Sequence, residues 1–502
     1  MLLDARHFSS GTTLDTDLCI VGAGPAGLVL AAELGGRCDS IILESGGDHA
    51  EPDDQALNDG DLIGNEYADL RATRHRQVGG TSNIWNTPVA GDAGAKYAPL
   101  DLLDFERGSG RPHGDWPFGF TELRDDYARA QRLCGLGPFS YDAAAWAQAG
   151  REAWADTGVL VSRVYQLATR HALLSPLRAA VARATNARLC THATVVALHR
   201  DAGARLVTRL SVATPGGKPW EVRATRVVLA AGAVENARLL LLTDDGAGRA
   251  GNASGWLGRG FMEHPRDSAI VLRPRSGDFH ATSGFYDVHH SGDGTWILGR
   301  LALGDPALRA AGVPNASATL LARPRLGLAM VRGAMPAIAR RWVPTGGHGW
   351  SRRAHADRLF DDFTVLLNVE QLPHPDNRVT LGRRRDALGV PVPVLDWRWR
   401  PDDQRGLDRL RAIVAAELRR VGQVTVDAGA RPDPNAHHHA GTTRMHDDPA
   451  LGVVGRDARV HGMDNVYVAG ASVFPTAGFA NPMLTIVALT VRLARHLLSE
   501  SV

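Results

Sequence analysis

The residues best suited to acid–base chemistry lie near the C-terminus, in the run His437-His438-His439. Three adjacent histidines suggest a metal site at first sight. Neighbouring side chains on a strand point to opposite faces, however, so at most His437 and His439 could share one ligand set. Because no nearby Cys or Glu completes such a site, we expect no metal. A histidine in the Gly- and Thr-rich sequence around residue 441 is instead suited to accept a proton, since its pKa lies near neutral pH.

A glycine-rich turn near the N-terminus has the spacing of a dinucleotide-binding site. The apolar run 18–21 leads into Gly22-x-Gly24-x-x-Gly27, and a helix-like segment follows. The first glycine permits a tight turn, the second lets the backbone approach a pyrophosphate, and the third allows close helix–strand packing. The helix offers its N-terminus to phosphate, and Glu44, at the end of the next strand, could accept ribose hydroxyls. The pattern predicts dinucleotide binding without choosing between FAD and NAD.

A second loop combines paired glycines with polar side chains: Gly79, Gly80, Ser82, Asn83 and Asn86. Paired glycines allow the backbone to lie flat against a ligand, and the polar side chains supply hydrogen-bonding groups. The segment alone fits equally well a glycine turn capped by asparagines.

Two later segments are less specific by themselves. His264 precedes Pro265 in the segment 258–265 and is interpreted as a structural histidine rather than a catalyst. The turn at Gly470 could face a second part of the dinucleotide. Asn481 precedes Pro482 at the predicted start of the last helix, where a helix cap is an alternative to a site residue.

The order of strands and helices predicts an α/β fold in which the two chain ends form one nucleotide-binding domain. Strand–helix units occur at both ends: the N-terminal βαβ unit, and a strand at 466–468 followed by a helix from Met483. Between them the pattern predicts helices at 121–134, 143–157, 234–242 and 402–421, and strands between residues 192 and 228. The middle of the chain would form a second layer over the cofactor.

Composition excludes several classes of protein. The chain has 502 residues with Lys+Arg 56 against Asp+Glu 54, a net charge of +2, so no basic excess indicates nucleic-acid binding. No apolar run is long enough to span a membrane. The N-terminal residues carry two early acids and no apolar core of a secretory signal, so a cytoplasmic location is expected.

Taken together and in this order, the motifs resemble the glucose-methanol-choline (GMC) family of FAD-dependent oxidoreductases. They are GAGPAG with Glu44, RQVGGTSNIW, AGAVENARLLL, GRGFMEHP, HHAGTTRM, and NVYVAGASVFPT with a later ANP. The last two look most like the branch of pyranose oxidases and bacterial glycoside 3-oxidoreductases. The resemblance implies a Rossmann-like FAD-binding domain from the discontinuous segments 1–100, 186–266 and 436–502. It also implies an α+β substrate domain, with a mostly antiparallel sheet and helical insertions, from 101–185 and 267–435.

The resemblance also implies roles for individual residues. His438 matches the catalytic base, and Asn481 matches its partner on the next flavin-facing loop. The implied reaction oxidises a secondary alcohol on a sugar or glycoside to a ketone: His438 removes the hydroxyl proton while hydride passes to flavin N5. The residues matching FAD contacts are Gly22, Gly24, Gly27, Glu44, Gly79, Gly80, Ser82, Asn83, Asn86, Val195, Gly470 and Pro482.

Two departures from the family pattern qualify the resemblance. Some pyranose oxidases attach flavin through a His directly before the Trp of the second loop; Ile84 occupies that position, so noncovalent FAD is expected. The stretch from 267 to 435 contains only weak matches to the family's motifs, so the substrate stays open and could be a non-sugar alcohol. A flavin-retaining lyase and a nicotinamide dehydrogenase are the alternative activities. The electron acceptor (O2, a quinone or a redox protein) and oligomerisation also stay open. Residues 323–344 fit a surface helix-loop, a lid, a subunit contact or a membrane-touching patch.

Overall fold

The computed structural model describes the chain except for residues 107, 109–112, 201–204, 215, 217–218, 244–249, 276–277, 328–329, 331–345 and 501–502. Most of the segment 323–344, for which four interpretations were open, therefore lies outside the described residues. None of the helices in the described ranges is long and apolar enough to cross a membrane.

The described residues form strands and helices throughout the chain. The strands are β1 Leu2–Asp4, β2 Thr13–Val21, β3 Ser40–Leu43, β4 Asp61–Gly64, β5 Thr87–Val89, β6 Asp92–Tyr97, β7 Leu160–Thr169, β8 Ala187–Thr191, β9 Thr194–Arg200, β10 Val207–Ala213, β11 Trp220–Leu229, β12 Arg266–Pro274, β13 Val288–His290, β14 Trp296–Leu303, β15 Ala316–Pro324, β16 Phe360–Val369, β17 Arg378–Arg385, β18 Pro391–Trp397, β19 Gly422–Val426 and β20 Val466–Val468. The helices are α1 Pro25–Leu34, α2 Pro52–Ala56, α3 Leu70–Thr73, α4 Phe120–Leu133, α5 Arg170–Arg183, α6 Gly232–Thr243, α7 Asp278–Thr282, α8 Asp305–Ala311, α9 Ala356–Leu359, α10 Pro401–Leu418 and α11 Met483–Ser499.

One sheet joins the two ends of the chain. Its strand order is β1-β8-β3-β2-β11-β10-β9, and β20 pairs with β11. The strands β1, β8, β3, β2, β11 and β20 run parallel to their neighbours, whereas β10 and β9 extend the sheet antiparallel. All four residues of β3 are buried, because helices cover both faces of a parallel sheet. The pairing of β20 with β11 brings the C-terminal segment to the edge of the N-terminal βαβ unit.

A second sheet is antiparallel throughout. Its order is β19-β12-β16-β15-β14-β7-β6-β5, with β13 paired to β14. This sheet and the parallel one confirm the predicted fold class. The strands β5 and β6 lie within residues 1–100, which the predicted domain division assigned to the cofactor domain, but they belong to the second sheet because β6 hydrogen-bonds to β7.

The helices α4 and α5 lie in the segment 101–185, which was predicted to contribute to the substrate domain and to helical insertions. Their apolar faces pack in the core of the parallel sheet together with α1 and α11. The hydroxyls of Tyr127 on α4 and Thr485 on α11 lie 2.8 Å apart. The layer around the parallel sheet therefore includes helices from this segment.

The predicted elements agree with the structure in most places. The helices predicted at 121–134, 234–242 and 402–421 correspond to α4, α6 and α10, and the strand at 466–468 and the helix from Met483 are present. The helix predicted at 143–157 is wrong: a 3-10 turn spans Ala143–Trp146, and the rest is irregular. Tertiary hydrogen bonds hold that stretch; the Ala155 amide donates to the Tyr286 hydroxyl at 3.1 Å.

Candidate active site

The glycine turn after β2 is shaped by close backbone packing. Gly22 has a φ of +105°, and a Cβ there would lie 2.7 Å from the Ala230 carbonyl oxygen. A Cβ at Gly27 would lie 1.9 Å from the Gly22 carbonyl oxygen. Only glycine fits both positions, so α1 begins directly against the turn. The first-turn amides of α1, which have no partner within the helix, are directed to the same place.

Glu44 follows β3 with its carboxylate buried. The Ala23 amide donates to Oε2 at 2.8 Å, and the Gly46 amide donates to Oε1 at 3.1 Å. Burial raises the pKa of Glu44 to about 7, although the two amides oppose that shift. The carboxylate is held in place by backbone donors and keeps lone pairs for further hydrogen bonds.

The loop at Gly79 and Gly80 lies on the glycine turn. The Gly79 amide donates to the Ala23 carbonyl at 2.8 Å. A Cβ at Gly80 would lie 3.1 Å from the Gly24 Cα. Within the loop, the Ser82 hydroxyl donates to the Gly79 carbonyl, and Asn83 Nδ2 donates to the Val78 and Gly80 carbonyls. These two side chains therefore hold the loop itself.

A large cavity connects these elements with the C-terminal segment. It is open to solvent on one side, and its empty space, open solvent included, is about 1450 Å³. The predicted site residues on its wall are Gly22, Gly24, Glu44, Gly80, Ser82, Val195, His438, Gly470, Asn481 and Pro482. Gly27, Gly79, Asn83 and Asn86 do not line it: Gly27 and Gly79 are buried, Asn83 is half-buried, and Asn86 is exposed.

The cavity fits an extended dinucleotide such as FAD. Gly232 and Gly470 present bare backbone to it, and no atom lies within 4 Å of the place where a Cβ would stand at either residue. Glu44 supplies a carboxylate on the same wall, and the start of α1 supplies unpaired amides. A ribose hydroxyl, a pyrophosphate and a flat ring system each find matching groups.

His438 and Asn481 lie together on the cavity wall. Asn481 Nδ2 donates to His438 Nε2 at 3.1 Å. Burial lowers the pKa of His438 well below its usual value of 6.5, and the cationic or titratable neighbours His264, Arg266, Lys96 and His437 lower it further. The ring is consequently neutral at neutral pH.

Two residues that the sequence interpretation left out contact this pair. His264 Nδ1 lies 3.0 Å from His438 Nδ1, and Glu263 Oε2 accepts the main-chain amides of His438 at 2.9 Å and His264 at 3.1 Å. Burial raises the pKa of Glu263 to about 7. The sequence signal for both was the triplet Glu263-His264-Pro265, which was interpreted as structural.

The three adjacent histidines face different partners. His437 has a positive φ of 60° and lines the cavity. His439 Nε2 lies 2.9 Å from the Tyr67 hydroxyl, which in turn donates to Glu263. With His438 bound to Asn481, the three rings do not converge on one point.

Among the described residues, Glu51, Asp54 and His192 group their ligand atoms closely enough for a metal. The imidazole of His192 nevertheless lies between the two carboxylates. Its Nδ1 is 3.3 Å from Asp54, and its Nε2 is 3.4 Å from Glu51. The Nδ1 contact with Asp54 is a hydrogen bond, so that ring nitrogen is already engaged.

Comparison with known proteins supports the resemblance. Residues 373–490, which carry Asn481 and the three histidines, match the family model described as GMC oxidoreductase. This part of the chain is similar to the GMC oxidoreductases. Together with the relatives and solved structures described below, the match shows an FAD-dependent oxidoreductase, as the resemblance implied.

Individual relatives cover the chain to different extents. The paromamine 6'-oxidase of Streptomyces fradiae is 26% identical over 97% of this chain and 92% of that protein. The C-glycoside 3-oxidase of Arthrobacter globiformis is 36% identical over 23% of this chain and 22% of that protein. Among solved structures, pyridoxine 4-oxidase from Mesorbium loti aligns over 96% of this chain and 98% of its own, with a TM-score of 0.56 and 18% identity. A formate oxidase of Aspergillus oryzae aligns over 98% of this chain and 99% of its own, with a TM-score of 0.55 and 15% identity. These solved structures share the fold.

Proposed function

We propose that this oxidoreductase oxidises a secondary alcohol on a sugar or glycoside to a ketone, with FAD as cofactor and His438 as the base. The observation that carries the proposal is the 3.1 Å contact between His438 Nε2 and Asn481 Nδ2 on the wall of the cavity that the glycine turn and Glu44 also line. A neutral imidazole nitrogen and an amide donor at one point are the groups needed to deprotonate and hold an alcohol oxygen.

The names of several relatives support a sugar-like substrate. Besides the paromamine and C-glycoside oxidases, the large subunit of fructose dehydrogenase from Gluconobacter japonicus is 27% identical over 62% of this chain and 54% of that protein. Each of these proteins is named for a sugar or a glycoside. Their names give different substrates, so the proposal is made for the class.

Different residues of the chain carry out different parts of the proposed reaction. When bound, FAD supplies the acceptor for the hydrogen and electron pair that leave the carbinol carbon. His438 Nε2 takes the hydroxyl proton, and the Asn481 amide donates a hydrogen bond to the same substrate oxygen. Because Glu263 fixes the main-chain amide of His438, the base is held in position before substrate arrives, which lowers the entropic cost of the step.

In this proposal FAD is held noncovalently. Glu44 would hold the ribose, the start of α1 and Gly470 would hold the pyrophosphate, and Pro482 would contact the isoalloxazine ring. Ile84, in the second loop, offers no nucleophile for a bond to the cofactor. Acid precipitation of the protein is therefore expected to leave all of the yellow cofactor in the supernatant.

The pH dependence of flavin reduction follows from the protonation state of His438. The base must be neutral, and burial together with His264, Arg266, Lys96 and His437 lowers its pKa below 6.5. The rate of anaerobic reduction is thus expected to be level through neutral pH and to fall only as the pH drops below 6.5. Stopped-flow measurement across the pH range tests this, and a midpoint above 6.5 would contradict the assignment of His438.

Anaerobic bleaching of the flavin tests the proposed function as a whole. Purified holoenzyme is mixed with a panel of sugars, glycosides and simple alcohols, and the oxidised flavin band is followed. Sugars or glycosides should bleach it, and the product should be a ketone. Bleaching by simple alcohols alone would overturn the substrate class, and turnover with the flavin still oxidised would indicate a lyase. Reoxidation in air against reoxidation by a quinone dye then separates an oxidase from a dehydrogenase.

A further inference from the structure

The ring of His264 is fully buried between the main chain and the proposed base. Its Nε2 lies 3.2 Å from the Ala477 carbonyl oxygen, and its Nδ1 lies 3.0 Å from His438 Nδ1. The side chain is 0% exposed. Both ring nitrogens are therefore engaged, and neither reaches the cavity.

The proton positions in this chain of contacts follow from the Ala477 carbonyl. A carbonyl oxygen only accepts, so His264 Nε2 must carry a hydrogen. Burial lowers the pKa of His264 to about 4, which leaves the ring neutral with a single N–H. Its Nδ1 is then an acceptor, and the facing His438 Nδ1 must be the donor. Two bare nitrogens at 3.0 Å would repel each other.

The same reasoning determines whether His438 Nε2 carries a hydrogen. A neutral ring that carries its hydrogen on Nδ1 has an unprotonated Nε2. That atom accepts the amide hydrogen of Asn481 and lies on the cavity wall. The chain of donors runs in one direction, from Asn481 through His438 and His264 to the Ala477 carbonyl.

We propose that His264 is a positioning residue that fixes the Nδ1–H tautomer of His438, so that the lone pair of Nε2 faces the cavity. The inference rests on the proposed function, in which His438 is the base. The wrong tautomer would place a hydrogen on Nε2, where it could not take a proton from an alcohol. When His438 accepts the substrate proton, its Nδ1–H remains bonded to His264 and that bond becomes charge-assisted.

Main-chain hydrogen bonds hold the rings of His264 and His438 in contact. Glu263 Oε2 accepts the amides of both His264 and His438, so one carboxylate ties together two segments 174 residues apart. The Met262 amide also donates to the Ala440 carbonyl at 3.0 Å. Little backbone freedom is left for a movement that would break the contact between the rings.

The test compares His264→Leu, which removes the acceptor, with His264→Asn, whose Oδ1 can accept near the position of Nδ1. The first readout is the tautomer of His438 in the oxidised holoenzyme, from long-range proton–nitrogen NMR correlations with nitrogen-15 histidine. The signal is assigned by its loss in His438→Ala. The second readout is the limiting rate of anaerobic flavin reduction, separated from the substrate Kd.

The expected result is an Nδ1–H signal for His438 in the wild type and in His264→Asn. In His264→Leu, an Nε2–H signal should appear, and the limiting rate should fall roughly 10–100-fold while Kd changes little. An Nε2–H signal in the wild type overturns the inference, as does an equal loss of rate in both variants. If His264→Leu does not fold, the wild type and His264→Asn still decide it. If His438 shows the Nδ1–H signal but no alcohol bleaches the flavin, the result contradicts the proposed function and leaves the inference about the tautomer standing.

Discussion

Replacing His438 by alanine is expected to leave a protein that binds FAD but reduces it roughly 10²–10⁴ times more slowly with its alcohol substrate. The imidazole supplies the nitrogen that takes the hydroxyl proton, and no other unprotonated base among the described residues contacts Asn481. The glycine turn, Glu44 and α1 are untouched, so the cofactor stays bound. The rate of anaerobic bleaching in stopped flow, at saturating substrate, measures the loss.

The matched control is His437→Ala. His437 is the neighbouring residue and lines the same cavity, but its ring does not bond to Asn481. Its rate should fall far less than that of His438→Ala. Flavin content and melting temperature, measured for both variants, show whether the chain is intact. Bleaching by His438→Ala at the wild-type rate would remove His438 from the role of base.

The cofactor end of the site could be predicted from sequence because its signals are local. Gly22, Gly24 and Gly27 lie within one strand–turn–helix, and a Cβ at Gly27 would meet the Gly22 carbonyl oxygen of the same unit. The steric need at Gly22 comes instead from Ala230, which follows the paired strand β11, but the glycine spacing that reveals the turn is local. Glu44 ends the adjoining strand. Their positions follow once β2, α1 and β3 are recognised, since a βαβ unit has one common hand and packing.

The second part of the site could not be predicted in this way. His264 and His438 are 174 residues apart, and their contact depends on how β12 and the C-terminal loop meet. A histidine beside a proline has the same local pattern whether it is structural or faces a base. Only the family resemblance pointed to His438 and Asn481, and nothing in it singled out the Nδ1–Nδ1 contact.

Irregular segments were the other part of the structure that could not be predicted from the sequence. The stretch 143–157 has the composition of a helix, but the Ala155 amide donates instead to the distant Tyr286 hydroxyl. Local propensity is a weak prior when such contacts are available. The domain division placed β5 and β6 by sequence position, whereas the sheet to which a short strand belongs is decided by its distant partner, which for β6 is β7.

The same dependence on distant contacts makes one buried ion pair important for the site. Arg411 on α10 donates to Asp267 on β12 through Nε at 3.0 Å and Nη2 at 2.6 Å. Arg411 Nη2 also donates to the Ala430 carbonyl at 2.8 Å. Asp267 follows the segment that carries His264, and Ala430 precedes the segment that carries His438. The guanidinium therefore ties both segments to one helix.

Replacing Arg411 by leucine is expected to destabilise the protein by about 3–5 kcal/mol, because it leaves the Asp267 carboxylate buried without its partner. The side chains of the pair are 3% and 0% exposed, so water cannot replace the lost donors. The double variant Asp267→Leu with Arg411→Leu should recover much of the loss, since no uncompensated charge remains. Urea unfolding followed by far-UV circular dichroism gives the midpoints of the three proteins.

The matched control lies on the same helix. Arg405 pairs with Asp402, but both side chains are exposed, so Arg405→Leu should hardly change the midpoint. A single Arg411→Leu variant as stable as this control would contradict the role assigned to the buried pair. Where Arg411→Leu still folds, the Nδ1–H signal of His438 should weaken before flavin is lost. The ion pair anchors the segments of His264 and His438, whereas the glycine turn that holds the cofactor is built from other parts of the chain.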